Sequence, residues 1–496
     1  MSKRRIFSRL SIGLIAAGLL LSIFLGAVNC SSKQQAAEIK ITLFHVNDAH
    51  SRIDHFAKIA YVVKEEKKKN PNVFFLNAGD NFSGNPIVDQ YEPKGQPMRE
   101  ILNLVGTDVL SLGNHEFDYG QELLEKFMEE AAFPIICANM TVSPEAIVSQ
   151  PKPYVILKTK EGIKIAVLGL IQIEKRAKIP STHPANLRGI SFTYGVDAAQ
   201  KYRDLKTKAD VFLALSHLGY ETDEALAKEM GELDIIIGGH THTFLAEPVM
   251  VNDVMITQTG AYATYLGRID ITLKGRKIIS KKSTMIKVSA IQEEDPGIKE
   301  KIAAYNNNPR LNEIIATLPG RIKGRSVLGN LVTDAIRSVH NIDIGIHNWG
   351  GTRSNNLEKE VRLKDIYTLL PFGNDIIQIE MTYAEIENMV RYDFTRHDKF
   401  DLFVSGISYT VRYTGEKDIK EIVIRDLQGN PLDESKTYKV GINDYIVSAY
   451  EFDHRDPGKS LKTTVAKTLI QYLKQGSDVT KGIDTLRTRT EMLQNR

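Results

Sequence analysis

Cysteine is nearly absent: two occur in 496 residues, Cys30 and Cys137. That excludes a disulfide-stapled scaffold, and a chain of this length can bury a full core without staples. A charge excess is also missing. Lys and Arg number 64 against 61 Asp and Glu, and Lys3, Arg4, Arg5 and Arg9 supply four of the positive charges before residue 30, where there is no acid. The remainder is close to neutral, so it has no global field with which to hold a nucleic acid polymer, although a local phosphate pocket is compatible with it. There is no internal repeat, no low-complexity tract and only one tryptophan, Trp349. Hydrophobic residues at 42% and charged residues at 25% are ordinary for folded soluble proteins, which excludes a polytopic membrane protein and a disordered chain. At about 150 residues per domain the length implies two or three domains.

The one long apolar run, Leu10 to Val28, follows the cationic start and precedes Asn29-Cys30 and the polar stretch Ser31 to Gln35. Residues 1–30 therefore read as a secretory signal, with 31–38 as a polar tether. A Cys directly after Leu-Gly-Ala-Val-Asn resembles a bacterial lipobox, although Asn29 departs from the usual small residue. The resemblance implies an exported lipoprotein, periplasmic or on the cell surface and held to the membrane at Cys30; an uncleaved single-span anchor is the alternative. Cys137, within Pro134-Ile135-Ile136-Cys137-Ala138, reads as a small buried hydrophobe.

From Ile39 onward short apolar runs alternate with helix-period segments, the pattern of an α/β domain with buried strands. Phe56, Ile59, Val62 and Val63 predict a helix over Asp54 to Lys69, with Lys67 to Lys69 as its solvated end. The chain turns polar from Asp295 to Pro319, so we expect a first domain over 39–290, a connector over 291–320 and a second domain over 321–496. That second domain opens with an amphipathic stripe, Leu328, Leu331, Val332, Ala335, Ile336 and Val339. Strand candidates follow at Ile342–Ile346, Ile376–Met381, Ile407–Tyr413 and Tyr438–Ile442.

Five apolar runs end in metal-type side chains. Leu43-Phe44 leads to Asp48 and His50; Val73 to Leu76 leads to Asp80; Val109 to Leu112 leads to Asn114 and His115. Val211 to Leu215 leads to His217, and Ile235 to Ile237 leads to His240 and His242. In open α/β sheets ligands bind beyond the carboxyl ends of the strands, so these residues are expected on one rim. Four imidazoles, two carboxylates and an amide exceed one tetrahedral site and suit two mixed N/O sites. We assign Asp48, His50, Asp80 and His242 to one ion and Asp80, Asn114, His217 and His240 to the other, with Asp80 bridging. The ions are divalent; Zn, Mn, Mg and Co all fit such donors. Two such ions favour in-line attack of water on a phosphate ester. His115 and Asp118 stand apart as a catalytic pair, the carboxylate orienting the imidazole and favouring its charged form.

Asp48-Ala49-His50, Gly79-Asp80, Gly113-Asn114-His115-Glu116-Phe117-Asp118, Ser216-His217 and Gly239-His240-Thr241-His242 resemble, in order and spacing, the calcineurin-like metallophosphoesterases. The second domain looks like the substrate-binding domain of the 5'-nucleotidases. The resemblance covers nearly everything after Ile39. It implies a four-layer α/β-β-α metallophosphoesterase domain followed by a smaller α/β domain that binds the nucleoside. In that family the nucleoside loops contain N-G-G-G-x-R, P-F-G and N-D-F followed by G-G-D-G. The counterparts here are Asn348-Trp349-Gly350-Gly351-Thr352-Arg353, Pro371-Phe372-Gly373 and Asn443-Asp444-Tyr445. The implied substrate residues are Asn348, Arg353, Phe372 and Tyr445, with Arg325 as an additional arginine. Phe372 and Tyr445 are expected to stack on the two faces of a base. Two departures stand out. Trp349 replaces the first glycine of a triplet, which puts an indole near the expected pocket. Ser448-Ala449-Tyr450-Glu451 replaces G-G-D-G, leaving Glu451 and Asp453 as the nearest substitutes for an acid that binds ribose hydroxyls.

His45, His55, His183, His340, His347, His397 and His454 carry no signal as ligands and read as surface or core residues. The function implied is an exported 5'-nucleotidase acting on small-molecule nucleotides. The alternatives are a 2',3'-cyclic nucleotide phosphodiesterase or UDP-sugar hydrolase with the same metal centre, and a non-catalytic surface binding lipoprotein.

Overall fold

The structure is a computed structural model that describes residues 37–174, 177–396, 400–415, 417–476 and 480–493. The expected signal and Cys30 lie outside the described residues, as does His397. No helix among the described residues is long and apolar enough to cross a membrane.

The first domain is built on two six-stranded sheets packed face to face. One runs in the order Lys277–Lys287, Tyr265–Lys274, Glu38–Val46, Val73–Asn77, Val109–Ser111, Ile135–Ile136, and its last four strands are parallel. The other runs Val249–Val251, Val254–Thr257, Ile235–Ile237, Val211–His217, Lys164–Ile171, Tyr154–Lys158, with parallel strands at its centre. Alternation along Glu38–Val46 shows how the layers form. Ile41 and Leu43 join Leu76, Val167, Leu213 and Ile235 in the core between the sheets, whereas Phe44 and Val46 point to the helices outside. Strands covered on both faces must be apolar throughout, which is why they read as continuous hydrophobic runs.

Helices Phe56–Lys69, Gln96–Val105 and Gln121–Glu130 cover the first sheet, and Gly195–Gln200 and Tyr220–Glu229 cover the second. Phe56, Ile59 and Val63 are buried on one face of the first helix, each contributing about 1.5–3 kcal/mol, while Lys67 to Lys69 place positive charge at its C-terminal end. The four-layer α/β-β-α arrangement is therefore present.

The segment expected as a connector is divided between the two domains. Helix Pro296–Asn306 buries Ile298, Ile302 and Tyr305 in the core of the first domain. Strand Ile314–Thr317 instead pairs with Glu360–Arg362 of the second domain. The hand-over falls between Asn306 and Pro309. Three buried side chains at helical spacing suffice to dock that helix, and the polar average of the segment conceals them.

The smaller second domain is a mixed five-stranded sheet in the order Leu402–Ser405, Ile344–Asn348, Thr437–Asn443, Asp375–Thr382, Lys459–Thr464. Helices Arg325–His340 and Val465–Leu473 pack together over one cluster, and Tyr383–Arg396 over another. A three-stranded sheet, Asp418–Asp426, Ile407–Thr414 and Thr488–Met492, completes it.

Candidate metal centre and substrate cavity

The carboxyl ends of the five strands meet at one rim of the first domain, and the loops after them are sharply turned. Asp48, His50, Asp80, His240 and His242 all have positive φ, between 46° and 78°. Non-glycine residues adopt that conformation at a cost of about 1–3 kcal/mol, and they persist where surrounding contacts fix them. Backbone bonds tie the loops together: Asp48 N–H donates to Gly79 O and His50 N–H to Asp80 O, each at 2.9 Å.

Three groups of donors lie close enough to share an ion; one is His50, Asp80 and His115, and the other two match the expected ligand sets. Asp48, His50 and His242 form one, with His50 Nε2 2.9 Å from His242 Nε2 and His242 Nε2 3.4 Å from Asp48 Oδ1. Asp80, His217 and His240 form the other, with His217 Nε2 3.1 Å from Asp80 Oδ2. Asn114 joins this second group: its Nδ2 donates to Ser181 O, which leaves Oδ1 facing His240 Nδ1 at 3.0 Å. The same Asp80 oxygen lies 4.0 Å from His50 Nε2, so it faces both groups.

The donor set suits divalent cations. His50 Nδ1 donates to Ser83 O and His217 Nδ1 to Ala78 O, so each ring turns Nε2 inward. His217 Nε2 is sealed from water and faces the Asp80 carboxylate. Burial pushes the His240 imidazole down to about 4 and, with neighbouring positive groups, holds His50 well below the ordinary histidine range, so both rings are neutral donors. Burial also lowers His217, but the Asp80 and Asp48 charges outweigh it and raise it to about 10. Two buried carboxylates thus create a strong demand for positive charge at this point.

His115 sits beside this cluster. Its Nδ1 donates to Asp118 Oδ2 at 2.6 Å, and its Nε2 is 3.9 Å from Asp80 Oδ2. Asp118 is itself fixed by the hydroxyls of Ser83, at 2.6 Å, and Thr182, at 2.8 Å. Burial disfavours the imidazolium, yet the charges of Asp118 and Asp80 and the bond to Asp118 raise His115 above its ordinary value.

A cavity of about 480 Å³ opens from these residues toward the second domain. Asp80, Asn114, His115, His240 and His242 line one end; Asn348, Arg353, Phe372 and Tyr445 line the other. Its volume is that of a small-molecule site.

Residues 41–244 match the Calcineurin-like phosphoesterase family, and residues 308–452 match the 5'-nucleotidase, C-terminal domain family. The chain thus joins a calcineurin-like phosphoesterase domain to a 5'-nucleotidase C-terminal domain. It is a metal-dependent phosphoric ester hydrolase of the type that uses a dinuclear divalent metal site. Among curated relatives, the Trifunctional nucleotide phosphoesterase protein YfkN of Bacillus subtilis is 26% identical over 469 residues. That match covers 82% of this chain but only 32% of YfkN, so the chain spans about a third of that relative's length. A 5'-nucleotidase of Diplobatis ommata is 26% identical over 504 residues, covering 86% of this chain and 85% of that protein. The solved structure of a 5'-nucleotidase precursor from Thermus thermophilus superposes with a TM-score of 0.76 at 23% identity, covering 92% of this chain and all of that one, which shows a shared fold.

Within this 5'-nucleotidase fold several expected substrate residues are placed differently. Phe372 lies flat against His115, with ring centroids 5.6 Å apart and planes at 14°, and Arg353 Cζ is 5.5 Å from the Phe372 centroid. One face of Phe372 is therefore already covered. Arg325 does not line the cavity: its guanidinium stacks over Trp349 at 5.0 Å, and burial with the nearby Arg353 charge pushes its pKa down to about 10. Trp349 also turns away from the cavity and packs on Phe403, leaving Gly350 and Gly351 at the wall. Glu451 and Asp453 are exposed and line no part of it.

Three residues at the site were not singled out from sequence. Glu116 is fully buried and accepts from the N–H groups of Asp80, Asn81 and Gly113 at 2.7–2.9 Å, clamping two ligand loops. His183 and Asp444 line the cavity from opposite domains. The available signals were the place of Glu116 inside the His115-to-Asp118 segment and that of Asp444 beside Tyr445.

Proposed function

We propose that this chain is an exported 5'-nucleotidase that hydrolyses nucleoside 5'-monophosphates to nucleoside and phosphate. The observation that carries the reading is the single cavity joining the donor cluster of one domain to Asn348, Arg353, Phe372 and Tyr445 of the other. Asp48, His50, Asp80 and His242 would hold one divalent ion, and Asp80, Asn114, His217 and His240 a second, with Asp80 shared. Ions so held supply Lewis acidity and lower the pKa of bound water.

The chain's own groups account for the rest. His115, fixed by Asp118, places a positive N–H where charge builds on the phosphoryl oxygens, and it can give its proton to the departing ester oxygen. Arg353 meets anionic oxygens with its planar fork. Phe372 and Tyr445 offer ring faces to a base once the substrate displaces Phe372 from His115. The leader over residues 1–30 would carry the body out of the cytoplasm and hold it to the membrane through a lipid on Cys30.

The test is phosphate release from AMP, UDP-glucose and a 2',3'-cyclic nucleotide with Mn, Zn, Mg or Co, beside Asp80→Ala. Metal-dependent release from AMP, absent in the variant, is the expected result. Release from another ester alone would move the substrate class. No release with metals bound would overturn the reading.

A further inference from the structure

The face of the first domain opposite the metal rim is basic. The rim lies at the carboxyl ends of the parallel strands, so the amino end of the nine-residue strand Glu38–Val46 marks the far side, about 30 Å away. Lys274 pairs with Glu38, which brings the turn Lys274-Gly275-Arg276-Lys277 to this end. The turn between Tyr154–Lys158 and Lys164–Ile171 joins it from the other sheet: Lys160 N–H donates to Asn72 Oδ1 at 3.1 Å, and Asn72 Nδ2 donates to Glu161 Oε2 at 2.7 Å. Asp210 ties the two turns together, accepting from Arg276 Nη1 and from Lys164 N–H, each at 2.8 Å.

These segments expose Lys40, Lys158, Lys160, Lys164, Lys274 and Lys277, against only two exposed acids, Glu38 and Glu161. Arg276 is held by Asp210, but none of the six lysines makes an ion pair among the described residues. In a body whose total charge is close to neutral, this is a local excess of positive charge without a partner of its own, and it attracts a negatively charged surface. The position says which surface. The same end is where the body joins its leader: Cys30 precedes Glu38 by eight residues, at most about 28 Å of extended chain. A membrane that held Cys30 would lie within that distance of Glu38, beside the lysines, and anionic headgroups supply the charge that the protein lacks there.

Resting on the membrane-held reading above, we propose that this basic face seats on the anionic phospholipid headgroups of the membrane that holds the leader. The ammonium groups meet headgroup phosphates, an attraction that salt screens. The strands then run away from the bilayer, and the metal rim opens toward the solution that carries the substrate.

The test is acylation of lysines by a membrane-impermeant reagent, read by peptide mass spectrometry, on the full chain bound to phosphatidylcholine vesicles with or without phosphatidylglycerol. With phosphatidylglycerol at low salt, Lys40, Lys160, Lys274 and Lys277 are expected to react about ten-fold more slowly than on phosphatidylcholine alone, and high salt should abolish the difference. Lys462 and Lys467, exposed on the second domain, serve as internal controls and should not change. Lys160→Glu, Lys274→Glu and Lys277→Glu together should return Lys40, Lys158 and Lys164 to their rates on neutral vesicles. A native melting temperature shows that this variant keeps its fold, and Lys160→Gln, Lys274→Gln and Lys277→Gln provide a second variant if the glutamates disturb the turns. Protein bound to both kinds of vesicle without selective slowing would overturn the proposal while leaving the anchor in place. Binding to anionic vesicles alone, with the same selective slowing and release by salt, would keep the basic face and overturn the anchor. No binding to either would overturn both. Slowing by dissolved polyphosphate but not by vesicles would assign the face to a soluble polyanion, which also overturns the proposal.

Discussion

At the scale of single residues, the candidate metal donors were legible as a cluster because each falls just past an apolar run, where a parallel strand must end and its loop must reach the rim. Glu116 was not legible, because its role consists of accepting backbone N–H groups from two loops that only the fold brings together. That role makes a specific prediction. Glu116→Ala leaves the buried N–H groups of Asp80, Asn81 and Gly113 without their acceptor, at about 1–3 kcal/mol each. Metal affinity is expected to fall by about 10- to 100-fold, as when an outer partner of a ligand is removed, and the melting temperature should drop. Metal content after dialysis and a thermal melt would check this; native metal content with native turnover would show that the loops hold themselves. His183 was hidden for a similar reason: an isolated histidine in a polar stretch has no periodicity to betray its position, and its partner lies in the other domain.

At the scale of elements, inner strands were readable because burial on both faces makes them uniformly apolar, whereas helix Pro296–Asn306 escaped because three buried side chains in eleven residues do not shift the average. The loops after the strands are as constrained as the strands. A Cβ at Gly113 would lie 2.3 Å from Asp80 Oδ1, whereas one at Gly231 would meet nothing within 4 Å. Gly113→Ala should therefore cost about 1–3 kcal/mol by overpacking and displace Asp80, lowering turnover at least ten-fold, while Gly231→Ala behaves as the native protein. Equal kinetics for the two variants would refute it.

Near the end of helix Tyr383–Arg396, burial and the nearby Asp401 charge push the Asp393 carboxyl up to about 7. In the unfolded chain it titrates near 3.8. The folded state thus binds the extra proton, and its stabilising effect, full below the lower value, is lost as pH rises through about 7. Asp393→Asn cannot ionise, so its melting temperature relative to the native protein should climb between pH 5 and 8. A difference that stays constant over that range would exclude this titration as a source of pH-dependent stability.

At the scale of the whole molecule, the two domains were separable in sequence, but the state of the cleft between them was not, since it depends on contacts between residues hundreds of positions apart. Helix Leu363–Leu369 meets Pro86–Asp89 there, and helix Asp444–Ala449 meets Pro184–Leu187. Phe372 stacks on His115, His183 approaches Asp444, and Arg396 reaches Glu174 at 4.0 Å. Interfaces of this kind permit relative domain motion. Substrate must displace Phe372 from His115 to use its ring face, and the products leave through the same cleft, so turnover requires the cleft to open. Linking Glu174→Cys to Arg396→Cys with a short bifunctional maleimide, in a Cys30→Ser background, would hold it shut. Cys137 does not interfere, because burial pushes its thiol up to about 12 and covers it. The linked protein is expected to lose more than about ten-fold in turnover, with each single-cysteine variant treated in the same way retaining its rate. If the linked protein turned over as fast as the unlinked one, substrate would have to reach the metal donors without separation of the domains, and the stack of Phe372 on His115 would have to yield by side-chain rotation alone.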